Sequence, residues 1–550
     1  MKDALRSTLQ KIVEDYTRKK GLTLPDDFLI ELDLSRDPSR GDLSSPVPFR
    51  LARLVKEKPT VIAEELLQTY ENEIKKVASR SEVAGGGFLN FFVASSQLAE
   101  VLLKIQRTDN NFGKSEFGKK KKVLIEFVSA NPTGPLTIAH GRQAVIGDAL
   151  ARIFKMTGFD VTKEYYLNDS GRQIDLLGES LWVRYQELFG KKAAIPEEGY
   201  QGEYLKEIAE RLRKKKGDIL LKKDPKEILP ECSQFAATEI LEGIKEDLKV
   251  IRVEFDSYLS EGSIRQKKWV EKVIDLLKKK NLVYEKEGAL WFRSTDFGDD
   301  KDRVLRKSTG EYTYLAPDIA YHWLKFDRKF ERLINLWGPD HHGYVARLKA
   351  ACQALGHDPK QVTVLIVQLA TLYRQGQPVR MSTRAGEFVT LRELFEEVGP
   401  DATRVFFLLR RVESHLDFDL DLAKKESDEN PVYYFQYAYA RISSILSFSK
   451  RSLNLKANLE RLSAPEEKEL IKKLEEYPEI LIAAAEGLEP YRIVEYLREL
   501  AAQFHKFYAM HRVVTEDEEL TAARLLLADC VRIVLRNGLE TLGVSHPEKM

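Results

Sequence analysis

The sequence predicts a multidomain α/β protein: an N-terminal α+β module, a parallel-sheet domain carrying an insertion, and a C-terminal all-α helical bundle. Three observations predict it. Val123–Phe127 is a short apolar run, followed by the loop Ser129-Ala130-Asn131-Pro132-Thr133-Gly134-Pro135. Apolar positions at helical spacing then run from Ala144 to Phe154, and a second strand-like run covers Val161–Leu167. Strand, loop, helix and strand form one βαβ unit, half of a Rossmann-like sheet. Far downstream Leu333–Trp337 enters Gly338-Pro339-Asp340-His341-His342-Gly343 and an amphipathic stretch to Leu355, which starts the other half. From Asn430-Pro431 onward the chain reads as four helices, entered at prolines and left at glycines.

Each element follows from the same reading. Residues 1–113 place Leu5, Leu9, Ile12 and Val13 on one helical face. Helices over Pro48–Leu54 and Val61–Ile74 follow, then Gly85-Gly86-Gly87 turning into a strand. Residues 114–190 hold the first βαβ unit. Residues 191–288, rich in Lys and Glu, are expected to be the insertion, helical over Tyr204–Leu212 and Ala237–Val250. Residues 289–375 resume the sheet with Ala289–Phe292 and Leu333–Trp337, and residues 376–428 connect to the bundle at 429–550.

Composition bounds the function. At 550 residues the chain is long enough for three or four domains, and 43% hydrophobic residues suit a globular protein. A net charge of +1 means that any nucleic-acid surface must come from local patches. Three widely spaced cysteines suit neither a zinc site nor a disulfide framework, which points to a reducing compartment. Met1-Lys2-Asp3 opens into a charged amphipathic helix, not a signal peptide, and no apolar run is long enough to span a membrane.

The chemistry concentrates at the two loops. A helix beginning after the first loop offers free N–H groups and the positive end of its dipole to an anion. His140 sits at that helix start, where an imidazole can meet a phosphate, or can simply cap and pack the helix end. Asp340, His341 and His342 invite a metal reading, but adjacent side chains diverge and no partner pair stands at i, i+4, so no metal site is expected. Glu126 ends the first strand; a carboxylate there needs a cation, either a ligand or an internal Lys or Arg.

Asn131-Pro132-Thr133-Gly134-Pro135-Leu136-Thr137-Ile138-Ala139-His140-Gly141-Arg142 resembles the signature of the arginyl-tRNA synthetases, class I aminoacyl-tRNA synthetases that usually read NPTGPLHxGHGR. Thr137 stands for the first His and Ala139 for Gly. Arg380-Met381-Ser382-Thr383-Arg384-Ala385-Gly386 sits where that family carries KMSKRAG, with Arg380 and Thr383 in place of the lysines. Gly41-Asp42-Leu43 and Gly87-Phe88-Leu89-Asn90 match its N-terminal addition.

The resemblance implies ATP-dependent activation of L-arginine to arginyl-adenylate and transfer to tRNA(Arg), with tRNA present for the first step. Mg²⁺ would accompany ATP. It implies catalytic roles for His140, Arg380, Ser382 and Arg384. Pro132, Gly134, Thr137, His140, Gly141, Gly338, Asp340, His341 and Met381 would face ATP. Glu126, Ser129, Asn131, Tyr314, Asp318 and His342 would face arginine. The N-terminal module would touch the outer corner of tRNA, the bundle would read the anticodon, and the protein is expected to be a cytoplasmic monomer. Arg380 and Arg384 are expected to stand in for the missing lysines, since a guanidinium forks onto phosphate oxygens. The departures leave open a weakened tRNA-binding paralogue, and another class I nucleotidyl transferase is disfavoured.

Overall fold

The structure, a computed structural model, describes residues 1–34, 41–379 and 389–550. Its centre is a five-stranded, all-parallel sheet. The strands are β1 (Lys122–Glu126), β2 (Asp160–Leu167), β3 (Ser257–Ser260), β4 (Arg332–Trp337) and β5 (Val362–Ile366). Their spatial order is β3-β2-β1-β4-β5, with Leu124 opposite both Thr162 and Leu333, and Leu333 opposite Val362. The order reverses between β1 and β4, so the carboxyl ends of these two strands open a crevice, the place where such sheets bind ligands. Val123, Leu124 and Ile125 are fully buried, as a central parallel strand covered on both faces requires.

Helix α1 (Ile138–Met156) follows β1 and is buried almost all round. It packs on the sheet and, on its other side, on the bundle helices Pro465–Gly487 and Glu518–Leu542. Gly147 makes the approach to the sheet possible: a Cβ there would lie 2.3 Å from the Phe127 ring. Gly158, at φ +87°, ends the helix and starts the turn into β2.

Two segments differ from the sequence reading. Ser257–Ser260, inside the stretch expected as the insertion, is β3 of the parallel sheet, reached from β2 through helices that include Arg172–Glu187 and Pro225–Val250. Four residues with two serines carry no periodicity by which to recognise a strand. Ala289–Phe292, expected to resume the parallel sheet, is instead the middle strand of a three-stranded antiparallel sheet with Val283–Lys286 and Arg303–Arg306. Glu287 and Gly288 both have positive φ, which sets a tight hairpin there. An apolar run of four residues fits either kind of sheet.

The N-terminal module has helices Lys2–Lys19, Val47–Val55, Pro59–Thr69 and Glu71–Ile74, so the third expected helix breaks at Tyr70. A hairpin of Ala78–Ala84 and Phe88–Val93 turns at Gly85, Gly86 and Gly87, all at positive φ. The bundle helices are Pro431–Ser449, Pro465–Gly487, Tyr491–Met510 and Glu518–Leu542, within a few residues of the expected ends.

Sheet and bundle share a charged joint. Asp148 of α1 is fully buried and accepts from Arg152 Nε (2.7 Å), Lys163 Nζ of β2 (3.0 Å) and Arg404 Nη2 (2.7 Å). Arg404, also fully buried, donates to the carbonyls of Ile251 (2.6 Å) and Leu542 (2.7 Å). Beside it Asp401 binds Arg252 Nη1 (2.6 Å), Gln436 Nε2 (2.9 Å) and the backbone N–H of Ser545 (3.0 Å). These cations hold the Asp148 carboxyl, despite its burial, down at about 2.

Candidate active site

The loop after β1 is strained and then tied down. Val128 and Ser129 have φ of +66° and +41°, values that cost a β-branched or bulky residue energy unless its surroundings enforce them. Ser129 is held at both ends of its hydroxyl: Oγ donates to Glu126 Oε1 and accepts from the Tyr166 N–H, each at 3.1 Å. Asn131 Nδ2 donates to Gln173 Oε1 (2.5 Å), and the Tyr204 hydroxyl donates to the Thr133 carbonyl (2.5 Å). Gly134 lies against the Tyr204 ring, and Pro132 is buried.

Thr137 is the N-cap of α1, with extended backbone, and His140 is its third helical residue. The Thr137 N–H donates to His140 Nδ1 (3.2 Å), and its hydroxyl lies 3.1 Å from the same nitrogen. A nitrogen that accepts from a backbone N–H carries no proton, so the neutral ring has its N–H at Nε2. Burial pushes the imidazole below its ordinary pKa, which keeps it neutral. Thr137 thus occupies the N-cap position, and the His140 ring satisfies its backbone N–H. Gly141 abuts Leu391, where a Cβ would come within 2.6 Å of a side-chain methyl. Arg142 is fully buried and donates to the carbonyls of Gln368 (2.7 Å) and Arg411 (3.1 Å), so it clamps the helix start to neighbouring loops.

Across the crevice Gly338 follows β4 and faces Gln143 of α1, which a Cβ at Gly338 would approach to 3.7 Å. Pro339–Tyr344 form a short 3₁₀ turn that leaves Asp340, His341 and His342 exposed. Arg380, Met381, Ser382, Thr383, Arg384 and Gly386 lie outside the described residues. The described chain resumes at Val389; Thr390 bridges Thr137, and the Leu391 N–H donates to the Leu136 carbonyl at 2.8 Å.

The third wall is α2 (Leu315–Asp327), whose Asp318, His322 and Lys325 line one face at i, i+4 and i+7. Lys325, fully buried, donates to Glu126 Oε2 (2.6 Å) and Asn335 Oδ1 (3.0 Å). Of the two cations the sequence left open for Glu126, the structure supplies the internal one, so its charge is matched before any ligand arrives. His322 links the Asp318 carbonyl (2.9 Å) to Asn335 (2.9 Å). Glu261 is paired with Arg265 (2.5 Å) and Glu164 with Arg328 (2.6 Å).

Asp318 differs from these carboxylates. It accepts from the Tyr344 hydroxyl at 2.7 Å and has no salt-bridge partner among the described residues. Desolvation, with Glu126 and Glu261 nearby, raises it from 3.8 to about 7. Tyr314, one turn earlier on the chain, is 81% exposed at the helix start and does not pack into this pocket.

The structure therefore brings Glu126, Ser129 and Asp318 to one pocket, and His140 and Gly141 to the adjoining helix start. Tyr314, Asp340, His341 and His342 remain at the surface. Lys325, Tyr344 and Gln173 were missed from sequence. For Lys325 a signal existed: a lysine seven residues after Asp318 on an otherwise apolar helix face. Among the described residues no group of three or more His, Cys, Asp or Glu side chains is placed to hold a metal ion.

Comparison with known proteins covers almost the whole chain. Residues 1–93 match the arginyl tRNA synthetase N-terminal domain, residues 100–407 the catalytic domain of class I tRNA synthetases (R), and residues 435–550 the DALR anticodon-binding domain. The chain is 47% identical to an arginine–tRNA ligase of Citrifermentans bemidjiense over all of both chains. It is 44% identical to arginine–tRNA ligase 1 of Halalkalibacterium halodurans over all of this chain and 99% of the other. In fold it is similar to Thermus thermophilus arginyl-tRNA synthetase, with a TM-score of 0.75 at 22% identity over 99% of this chain and all of that one. The switch-point crevice, the capped histidine and this three-part match together place the chain in the arginyl-tRNA synthetase family, among the class I aminoacyl-tRNA synthetases.

Proposed function

We propose that the protein is an arginine–tRNA ligase. A carboxylate oxygen of L-arginine attacks the α-phosphorus of ATP and pyrophosphate leaves, giving arginyl-adenylate. A terminal ribose hydroxyl of tRNA(Arg) then attacks the adenylate carbonyl carbon and AMP leaves. The observation that carries this reading is Asp318: a pocket whose other carboxylates are each matched to an internal cation keeps one without such a match. A guanidinium, permanently charged and with five donors, is the natural occupant.

The α-phosphate belongs at the start of α1. There the helix dipole and the His140 Nε2–H face the negative charge that grows as pyrophosphate departs, and the barrier falls by electrostatic stabilisation rather than covalent chemistry. Pro132, Gly134 and Gly338 keep this floor free of bulk, and Gly141 makes room for Leu391 to pack against the helix start. Mg²⁺ enters with ATP, held by its phosphates and water. Asn131 and Ser129 orient the amino acid from the strained loop. Tyr314 and His342 contact it from the rim, and Asp340 and His341 contact ATP. The bundle carries the anticodon contacts. Three buried, unpaired cysteines suit a reducing cytoplasm, and the enzyme acts as a monomer.

Two measurements test this. Arginine-dependent ATP–pyrophosphate exchange is expected to be negligible in protein alone and to switch on with tRNA(Arg). Robust exchange without tRNA rejects the tRNA-dependent first step, and failure to charge tRNA with arginine rejects the function. His140→Ala is expected to slow activation by about 10²–10³-fold, the scale of losing one transition-state donor, with a smaller change in the KM for ATP. Activation within about tenfold of the parent, ~1.4 kcal/mol, would remove His140 from this role.

A further inference from the structure

The hydroxyl of Tyr166 is buried and has no hydrogen-bond partner among the described residues. It belongs to β2 near its carboxyl end, opposite Leu259 of β3, and its ring stacks on Tyr321 of α2 with centroids 4.4 Å apart and planes 19° from parallel. Its backbone N–H is spent on Ser129 Oγ, the group that also holds Glu126. The neighbouring phenols show the ordinary arrangement: Tyr165 donates to the Ala130 carbonyl (2.8 Å), Tyr321 to Glu164 (2.9 Å) and Tyr344 to Asp318 (2.7 Å). Tyr166 alone of these four is left without a partner.

An unmatched buried hydroxyl costs stability, so a fold that keeps one has it waiting for something or carries a fault. The surroundings indicate what it waits for. Burial keeps the phenol protonated, and the negative charge of Glu261, Asp318 and Glu126 acts in the same direction. Lys325 and Arg265 answer two of these carboxylates, and Asp318 remains. Tyr166 stacks on Tyr321, one turn along α2 from Asp318, so a cation on Asp318 would enter on the side of the pocket that Tyr166 lines. A guanidinium has only donors, and a planar fork engaged by one carboxylate still has N–H groups directed elsewhere.

We propose that Tyr166 is a specificity residue for the amino-acid substrate, its phenolic oxygen accepting a hydrogen bond from the guanidinium that Asp318 binds. The inference rests on the arginine pocket proposed above. It assigns to the substrate a contact that a lysine ammonium, which ends one atom short of the terminal guanidinium nitrogens and lacks their planar fork, fills less well, so it favours arginine over lysine.

Tyr166→Phe separates the two explanations because it keeps the ring and its stack on Tyr321 and removes only the hydroxyl. The free protein is expected to melt no lower than the parent. The Kd for arginine, measured by calorimetry on the full chain with tRNA(Arg) bound, is expected to rise roughly tenfold, the scale of one hydrogen bond to a charged group. The KM for ATP and for tRNA should stay unchanged. An unaltered arginine Kd overturns the proposal and leaves the hydroxyl a packing fault. A general rise of all three constants with a lowered melting temperature also overturns it, as a merely structural role. Asp318→Asn measured alongside keeps the readings apart. If it weakens arginine binding and Tyr166→Phe does not, only the Tyr166 assignment fails; if Asp318→Asn is itself silent, the pocket is wrong.

Discussion

Asp318→Asn raises the Kd for arginine by about a hundredfold to a few thousandfold, equivalent to ~3–5 kcal/mol for removing one partner of a buried charge pair, and leaves the KM for ATP unchanged. Glu126, Glu164 and Glu261 are already neutralised by Lys325, Arg328 and Arg265, so no second acid can take over. The same variant should not unfold the protein. In the free enzyme the carboxyl is raised to about 7, which means that ionising it there is unfavourable, and an amide of the same shape removes that cost.

The pH dependence carries the same sign. Its pKa in the folded protein lies above the unfolded value of 3.8, so the stability this group contributes is present at low pH and fades as pH rises toward 7. Arginine needs the ionised form. Its affinity in the parent should therefore fall roughly tenfold per pH unit below about 7 and level off above it. Asp318→Asn should flatten that profile. A parent profile already flat between about pH 5.5 and 8, a window that brackets the shifted group, would show that Asp318 does not bind the substrate.

Lys325→Met is expected to destabilise the enzyme by about 3–5 kcal/mol, read as a fall in the first thermal transition, because the protein has several domains and no single unfolding step. Lys325 is fully buried, Glu126 nearly so, and Glu126 Oε2 and Asn335 Oδ1 both lose the Lys325 donor together. Glu126 is then a buried acid with no salt-bridge partner among the described residues. Lys325→Met combined with Glu126→Gln should recover most of the loss, since the cost lies in the stranded charge and not in the missing pair. A single-variant loss below about 1 kcal/mol, the range of solvated pairs, would mean that water reaches this pair.

How much was legible follows from which forces act locally. The signature loop, α1 and the four bundle helices were readable because periodicity, Pro entries and Gly exits are encoded within a few residues of where they act. β3 was not: Ser257–Ser260 becomes a strand only because Tyr166 and its neighbours in β2 offer a free edge. Glu126 could be read as needing a cation, but its partner lies 199 positions along the chain. The unmet Tyr166 hydroxyl is a property of three-dimensional surroundings and leaves no trace in sequence. Thr137 is the instructive case. Against the family pattern it looks like a lost histidine, while in the structure it is the N-cap residue whose backbone N–H fixes the His140 tautomer, a bond that any residue but proline makes. The pattern recorded a departure; the backbone keeps the contact that orients His140.

The Asp148–Arg404 joint bears on inheritance. Three recognisable segments, matched separately at 1–93, 100–407 and 435–550, suggest parts that could be traded between relatives one at a time. The joint argues otherwise. Arg404 spends its guanidinium on Asp148, on the Ile251 carbonyl and on the Leu542 carbonyl, and a Cβ on Gly543 would collide with it. A recombinant that exchanges the bundle alone would have to present the same carbonyl and the same glycine to an arginine it did not evolve beside. Lineages should therefore hand down the catalytic half and the chain from Leu542 onward as a linked set, and breakpoints that survive selection should fall elsewhere.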